Sequence, residues 1–381
     1  MNFHAPASNN RPLELPLMFG HFVPWYTIHG SDFPAHPDDA ATIAHLPPIE
    51  DMRHWNDPRA GYLRTHHHTP TIGVYDSRSP AVITWQIETA LEFGLTGFSI
   101  NWYGRNSVEN VITLHWLRGL RDWNVQNPDR PFHYFLSFDS QAHQAGEGRI
   151  PCTMQEDFQY IKDHLVNDAY LHRDGRPVFS TFAYQDNCAE GRAAMDAVFG
   201  PGGADLIWMN HPRNAGENAC FAWVRPDDEV LDDSSIYPWK DPNNPGDGFL
   251  RKFYRAPNTA EKGVEYLMAG VWPGFNDELV AWAWKPDPND PRIRPRVIVR
   301  ESRRGNTLGL TWQAYIDYLR DWVAGSNEAR IPAPLIQLVT WNDYAETTTV
   351  EPTRDYGTAP LDLCRQRIKE ARNLWRQRLL S

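Results

Sequence analysis

The chain has 381 residues, 41% of them hydrophobic and 22% charged, with a formal net charge of −11. That length and apolar content support a large core and exclude a disordered chain or a single small domain. The acidic balance excludes the basic footprint that nucleic acid or an anionic membrane surface requires, and no run of about 18 apolar residues is present to insert in a bilayer.

Residues 1–15 read as an irregular N-terminal arm, and the remainder, 16–381, as one catalytic-sized unit. The first ten residues contain neither the basic nor the apolar segment of a secretory signal. The expectation is therefore a cytoplasmic protein, although a secreted or periplasmic chain trimmed of its signal would read the same. A first apolar strand covers 17–23 and ends in Pro24-Trp25-Tyr26. A long excursion rich in Pro, His and Asp then runs to residue 79 without periodicity. Ser79-Pro80 gives an N-cap followed by proline at the first helical position, Ile83, Ile87, Ala90 and Leu91 recur at helical spacing, and Gly94 stops the helix.

The alternation then repeats. Strands are predicted over 97–103, 132–139, 177–182, 205–211, 220–224 and 266–272, with helices over 108–123, near 158–165 and near 189–198. Long loops follow the sixth and seventh strands, the former containing the turn-forming Asp-Pro-Asn-Asn-Pro-Gly segment, 241–246. A helix then carries Trp312, Tyr315, Ile316, Leu319, Trp322 and Val323 on one face. The eighth strand opens at Leu335 and runs into Trp341-Asn342-Asp343-Tyr344-Ala345-Glu346. A last helix places Leu361, Cys364, Ile368, Ala371 and Trp375 on one side. Eight strands alternating with helices predict an α/β fold, a single (β/α)8 TIM barrel with long βα loops. An open doubly wound sheet would carry a glycine-rich phosphate turn after an early strand, and none is present.

In such barrels the site lies at the C-terminal ends of the strands. Those ends supply Trp25 and Tyr26, Asn101 and Trp102, Asp139, Asn210 and His211, Trp272, and Trp341 with Asp343. Aromatic faces beside hydrogen-bonding groups suit a sugar ring, so an oligo- or polysaccharide partner is expected. The carboxylates Asp343 and Glu346, three residues apart on a turning loop, suit glycosidic cleavage, in which one group protonates the departing oxygen and the other acts as base or nucleophile. The same residues would equally serve as loop and helix-capping groups. A non-catalytic glycan-binding barrel is one alternative. A metal-dependent hydrolase built on the His66-His67-His68 run is another, although adjacent loop histidines point in different directions and no further ligand set accompanies them. No cofactor motif occurs, and no metal or cofactor is expected. Cys152, Cys188, Cys220 and Cys364 form no CxxC pair and read as free thiols, with a Cys188–Cys220 bridge left open.

Val339-Thr-Trp-Asn-Asp-Tyr-Ala-Glu-Thr347 resembles the signature of glycoside hydrolase family 71, the endo-α-1,3-glucanases, and the related pattern of family 99, the endo-α-mannosidases. Val350-Glu351-Pro352 is similar to the Ile-Glu-Pro ending of the family 99 pattern. Stretches at 73–77, 97–102, 137–139, 175–182 and 268–274 agree in order. The resemblance spans roughly residues 19–360. It implies a (β/α)8 barrel acting on α-glucan or α-mannan, with Glu346 as general acid and Asp343 as base. In a family 71-like enzyme the base would activate water with inversion. In a family 99-like enzyme it would take a sugar hydroxyl proton, with retention. Glu351 joins the expected substrate-binding set through this likeness.

Overall fold

The computed structural model describes residues 1–6, 12–28, 68–105, 107–139, 152–182, 188–209, 218–227, 239, 241–259, 264–278 and 295–380. Eight parallel strands close on themselves: β1 (Leu17–Phe22), β2 (Gly97–Trp102), β3 (His133–Asp139), β4 (Arg176–Phe182), β5 (Asp205–Met209), β6 (Ala219–Phe221), β7 (Tyr266–Val271) and β8 (Leu335–Leu338). Each strand pairs with its successor, and β8 pairs with β1 in the register Leu335↔Leu17 to Leu338↔Gly20, which completes the barrel. The (β/α)8 expectation is thereby met.

Helices follow the strands as α1 (Pro80–Glu92), α2 (Val108–Gln126), α3 (Met154–His164), α4 (Cys188–Phe199), α5 (Asp247–Arg255), α6 (Thr307–Val323) and α7 (Ala359–Leu380). Ser79 and Pro80 start α1 as expected, though the serine makes no side-chain cap bond. The buried stripe of α7 is Leu361, Cys364, Ile368, Ala371 and Trp375, the face predicted from spacing. Helix α5 was not predicted. Its N-cap is Gly246 at φ 80°, where a Cβ would meet Arg225 O at 1.9 Å, so the polar N-cap cue is missing. None of the described helices is long and apolar enough to cross a membrane.

The arm read as irregular contains a short strand, Phe3–His4, antiparallel to His172–Arg173. It lies at the N-terminal end of the barrel, where Phe3 packs edge-on against Tyr266. Beneath it Arg173 grips Asp205 with two bonds, Nε to Oδ2 at 2.9 Å and Nη2 to Oδ1 at 2.6 Å, and Tyr266 donates to the same carboxylate. This buried cluster plugs the end opposite the expected site.

Strand alternation sorts the other residues. His21 of β1 meets Phe182 of β4 and Trp223 beyond β6, so that face of β1 looks across the barrel interior. Phe22, its neighbour, stacks on Phe98 and packs on Trp116 of α2, so the opposite face meets the helices. Cys152 and Cys364 are free thiols. The Cys188–Cys220 bridge involves a side chain, Cys188, outside the described residues.

Candidate active site

The organising element is the turn that follows β8. Val339 N still bonds Val271 O on β7 at 2.8 Å, and Trp341 N bonds His21 O on β1 at 2.7 Å. The chain then folds on itself: Thr340 N bonds Thr348 O at 2.9 Å, and Glu351 N bonds Trp341 O at 2.8 Å. The strand therefore stops at Leu338, and residues 340–351 form a closed excursion at its C-terminal end. Asp343 and Glu346 both sit on that excursion.

Asp343 is nearly buried at 5% exposure. Its backbone N–H donates to Thr340 Oγ1 at 2.8 Å, and its Oδ1 accepts from Glu346 N at 2.9 Å. Both neighbours are held by the segment that follows β1. Asn342 bonds the main chain of Val23, and the Tyr26 hydroxyl bridges Asn342 O at 2.8 Å and Tyr344 N at 3.1 Å. Burial pushes the Asp343 carboxyl up to about 6, against the opposing pull of the Glu346 and Ala345 amides.

Glu346 keeps partial exposure. Its carboxyl is pushed well above the ordinary range, first by burial, then by the Asp343 charge. Arg296 pulls it back, while Asp277 adds to the rise. Those two form their own pair, Arg296 Nε to Asp277 Oδ2 at 2.7 Å, and the Arg296 guanidinium lies over Trp239 and Phe275. Asn276 N donates to Glu346 O at 2.8 Å. Thr347, next in sequence, holds φ 57°, a costly left-handed value for a β-branched residue. Arg300 secures it by donating to Thr347 O at 2.8 Å and Thr349 O at 2.6 Å.

The other expected site residues divide. Asn101 and Asp139 face the interior and meet, Nδ2 to Oδ2 at 3.0 Å. Trp102 points the opposite way, because consecutive strand residues alternate. It is fully buried, and its Nε1 donates to Asn110 of α2 at 2.9 Å. Trp272 and Trp341 are also fully buried, their Nε1 groups donating to Pro245 O and Glu351 Oε1, each at 2.8 Å. None of these three presents a free face to a ring. Trp25 is nearly buried beside Tyr26 and stacks on Tyr103. Glu351 is 1% exposed and bonded on all sides within the protein, so it has no open edge for a ligand. Asn210, His211, His66 and His67 lie outside the described residues. His68 pairs with Asp355 at 3.0 Å. Among the described residues no three His, Cys, Asp or Glu side chains gather to hold a metal.

Residues not singled out from sequence also belong here. Trp223 and Phe182 are partly exposed, pack edge to face at 4.6 Å, and both contact His21. Trp223 follows the sixth strand and was legible as a strand-end aromatic. His21 is buried beside Gln337, Nδ1 to Nε2 at 3.1 Å, and burial lowers its imidazole to about 3, so it is neutral. Arg296, Asp277 and Arg300 come from the segments flanking the long loop after β7 and carried no sequence signal.

Neither family models nor curated proteins give a match to the sequence. Solved structures do match the fold. One is a GH99 endo-α-mannosidase from Bacteroides thetaiotaomicron in complex with bis-tris propane, at TM-score 0.59 and 14% identity, covering 95% of this chain and 98% of that one. Another structure of a GH99 endo-α-mannosidase from Bacteroides thetaiotaomicron gives TM-score 0.55 at 13% identity, covering 95% and 99%. A glycoside hydrolase-like protein gives TM-score 0.55 at 13% identity, covering 96% and 99%. At these identities the likeness establishes a shared barrel architecture. The fold is that of these structures, and family 71 gains no specific support.

Proposed function

We propose that this protein is a glycoside hydrolase that cleaves α-linked glycans, with Glu346 as general acid and Asp343 as base. The observation that carries the reading is that two carboxyls share one turn at the C-terminal end of β8, with Glu346 N bonded to Asp343 Oδ1 at 2.9 Å. Burial and the Asp343 charge favour a protonated Glu346, while Asp343 is ionised above about 6. Burial raises both carboxyls, and the Asp343 charge adds to the rise at Glu346, which suits a proton held on Glu346 beside a base at Asp343. Glu346 gives its proton to the glycosidic oxygen as the bond from the anomeric carbon breaks. Asp343 takes a proton from the incoming nucleophile, either water, giving inversion, or a neighbouring sugar hydroxyl, giving retention. Trp223 and Phe182 offer a partly exposed aromatic corner for a sugar face.

Two of the solved neighbours are endo-α-mannosidases, which makes α-mannan the first substrate to try. The Trp341–Glu346 motif, with aspartate at 343, makes α-glucan the second. Leaving-group dependence tests the roles. Glu346→Gln should lose about 10²–10⁴-fold on natural α-glycans yet keep most of its rate on glycosyl fluorides, whose leaving group needs no proton. Asp343→Asn should lose both activities. Wild-type cleavage of natural glycans by Glu346→Gln would overturn the assignment.

A further inference from the structure

Glu351 is a buried carboxylate that the proposed chemistry does not use. Four donors from different parts of the fold converge on it. Gln86 Nε2 and Trp341 Nε1 donate to Oε1, each at 2.8 Å. Tyr75 and Tyr344 donate their hydroxyls to Oε2 at 2.9 Å and 2.5 Å. A carboxylate has roughly four acceptor sites, so these donors fill it. Trp341 and Tyr344 bracket Asp343 within the turn. Tyr75 and Gln86 belong to α1 and the segment leading into it. The Tyr75 hydroxyl lies 3.4 Å from Asn342 Nδ2, a long and weak contact, so the cluster holds the turn chiefly through Trp341 and Tyr344.

A carboxylate is well suited to this task. Hydrogen bonds to an ionised acceptor are shorter and stronger than neutral ones. Burial raises the Glu351 carboxyl above its ordinary range, and the four donated bonds pull it back toward the ionised form. Removing the anchor would orphan four buried donors at once, two of them on the excursion that carries Asp343 and Glu346.

We propose that Glu351 is a positioning residue, whose carboxylate fixes Trp341 and Tyr344 and through them the orientation of Asp343. Its catalytic consequence rests on the acid–base reading above. Its geometric content does not.

The test compares two variants that each remove one hydroxyl from the same oxygen, Tyr344→Phe and Tyr75→Phe. A merely structural anchor would lose rate in proportion to lost stability, equally in both. A positioning anchor acts through Tyr344, which adjoins Asp343. Tyr344→Phe should lower kcat about tenfold with KM unchanged, and Tyr75→Phe only about two- to threefold, at matched Tm. A second readout needs no activity. The Asp343 titration, followed by NMR on carboxyl-labelled aspartate in wild type and both variants, should shift towards the ordinary range in Tyr344→Phe and stay in place in Tyr75→Phe. An Asp343 titration unchanged in Tyr344→Phe would overturn the proposal, and so would equal kinetic losses in the two variants. If wild type cleaves no glycan, the acid–base reading fails, and the titration still decides whether Glu351 positions Asp343.

Discussion

The side-chain amide of Asn342 clasps both main-chain polar groups of Val23, with Oδ1 2.8 Å from Val23 N and Nδ2 3.1 Å from Val23 O. The residue before Asp343 is thereby fastened to the end of β1, across the seam where the barrel closes. Asn342→Leu leaves both groups without their partner at a buried site. The cost should be about 2–4 kcal/mol in denaturant unfolding, with kcat reduced well beyond what KM reports. A variant of wild-type stability would show that the clasp contributes nothing.

Asp343 gives a stability prediction whose sign follows from proton linkage. Its folded-state carboxyl lies at about 6, above the ordinary 3.8. Between those values the folded protein binds more protons than the unfolded chain, so stability falls as pH rises through that window. Asp343→Asn removes the buried charge. It should stabilise the protein by on the order of 1–3 kcal/mol at pH 7, with the gain vanishing near pH 4. Thermal unfolding at both pH values checks this, and a destabilised variant at pH 7 would contradict it. In kinetics the same group should set the acid limb of kcat/KM, with activity rising through about pH 6.

How much of this was legible in the sequence follows from the kind of signal involved. Short continuous apolar runs and helical stripes exposed the eight strands and the buried faces of α6 and α7, because burial imposes those patterns directly. Helix α5 escaped because its start is a left-handed glycine instead of a polar cap. At strand ends the sequence supplied residue types but not faces. Asn101 and Trp102 read alike, yet alternation sends one into the barrel and the other under α2. Trp341 and Glu351 looked like ligand-binding groups, and their mutual bond shows how an aromatic and an acid can satisfy each other indoors. The surroundings of Glu346 were illegible, because Asp277, Arg296 and Arg300 reach it from distant segments.

Thr347 isolates strain from catalysis. Its φ of 57° is one that glycine adopts without penalty. Thr347→Gly should therefore be neutral or stabilising by up to about 1 kcal/mol in chemical denaturation, while loosening the backbone beside Glu346 and lowering kcat. Marked destabilisation would indicate that the Thr347 side chain matters more than its backbone strain.

The opposite end of the barrel supplies a control. Asp205→Ala leaves Arg173 and Tyr266 without the buried carboxylate they share. It should cost about 3–5 kcal/mol in equilibrium unfolding. At temperatures where the variant stays folded, kcat and KM should match wild type, since the cluster lies away from the candidate site. A selective loss of kcat would mean that the two ends of the barrel are coupled.

The most direct test of the central claim is time-resolved anomeric NMR on a panel of α-mannans and α-glucans with wild type, Asp343→Asn and Glu346→Gln. Wild type should give new reducing-end signals on at least one α-glycan, of a single anomer at early times, with release on that substrate slowed by about 10²-fold or more in both variants. Inversion would assign water to Asp343, and retention a sugar hydroxyl. No new reducing ends from wild type on any member, or unchanged release by both variants, would contradict the claim.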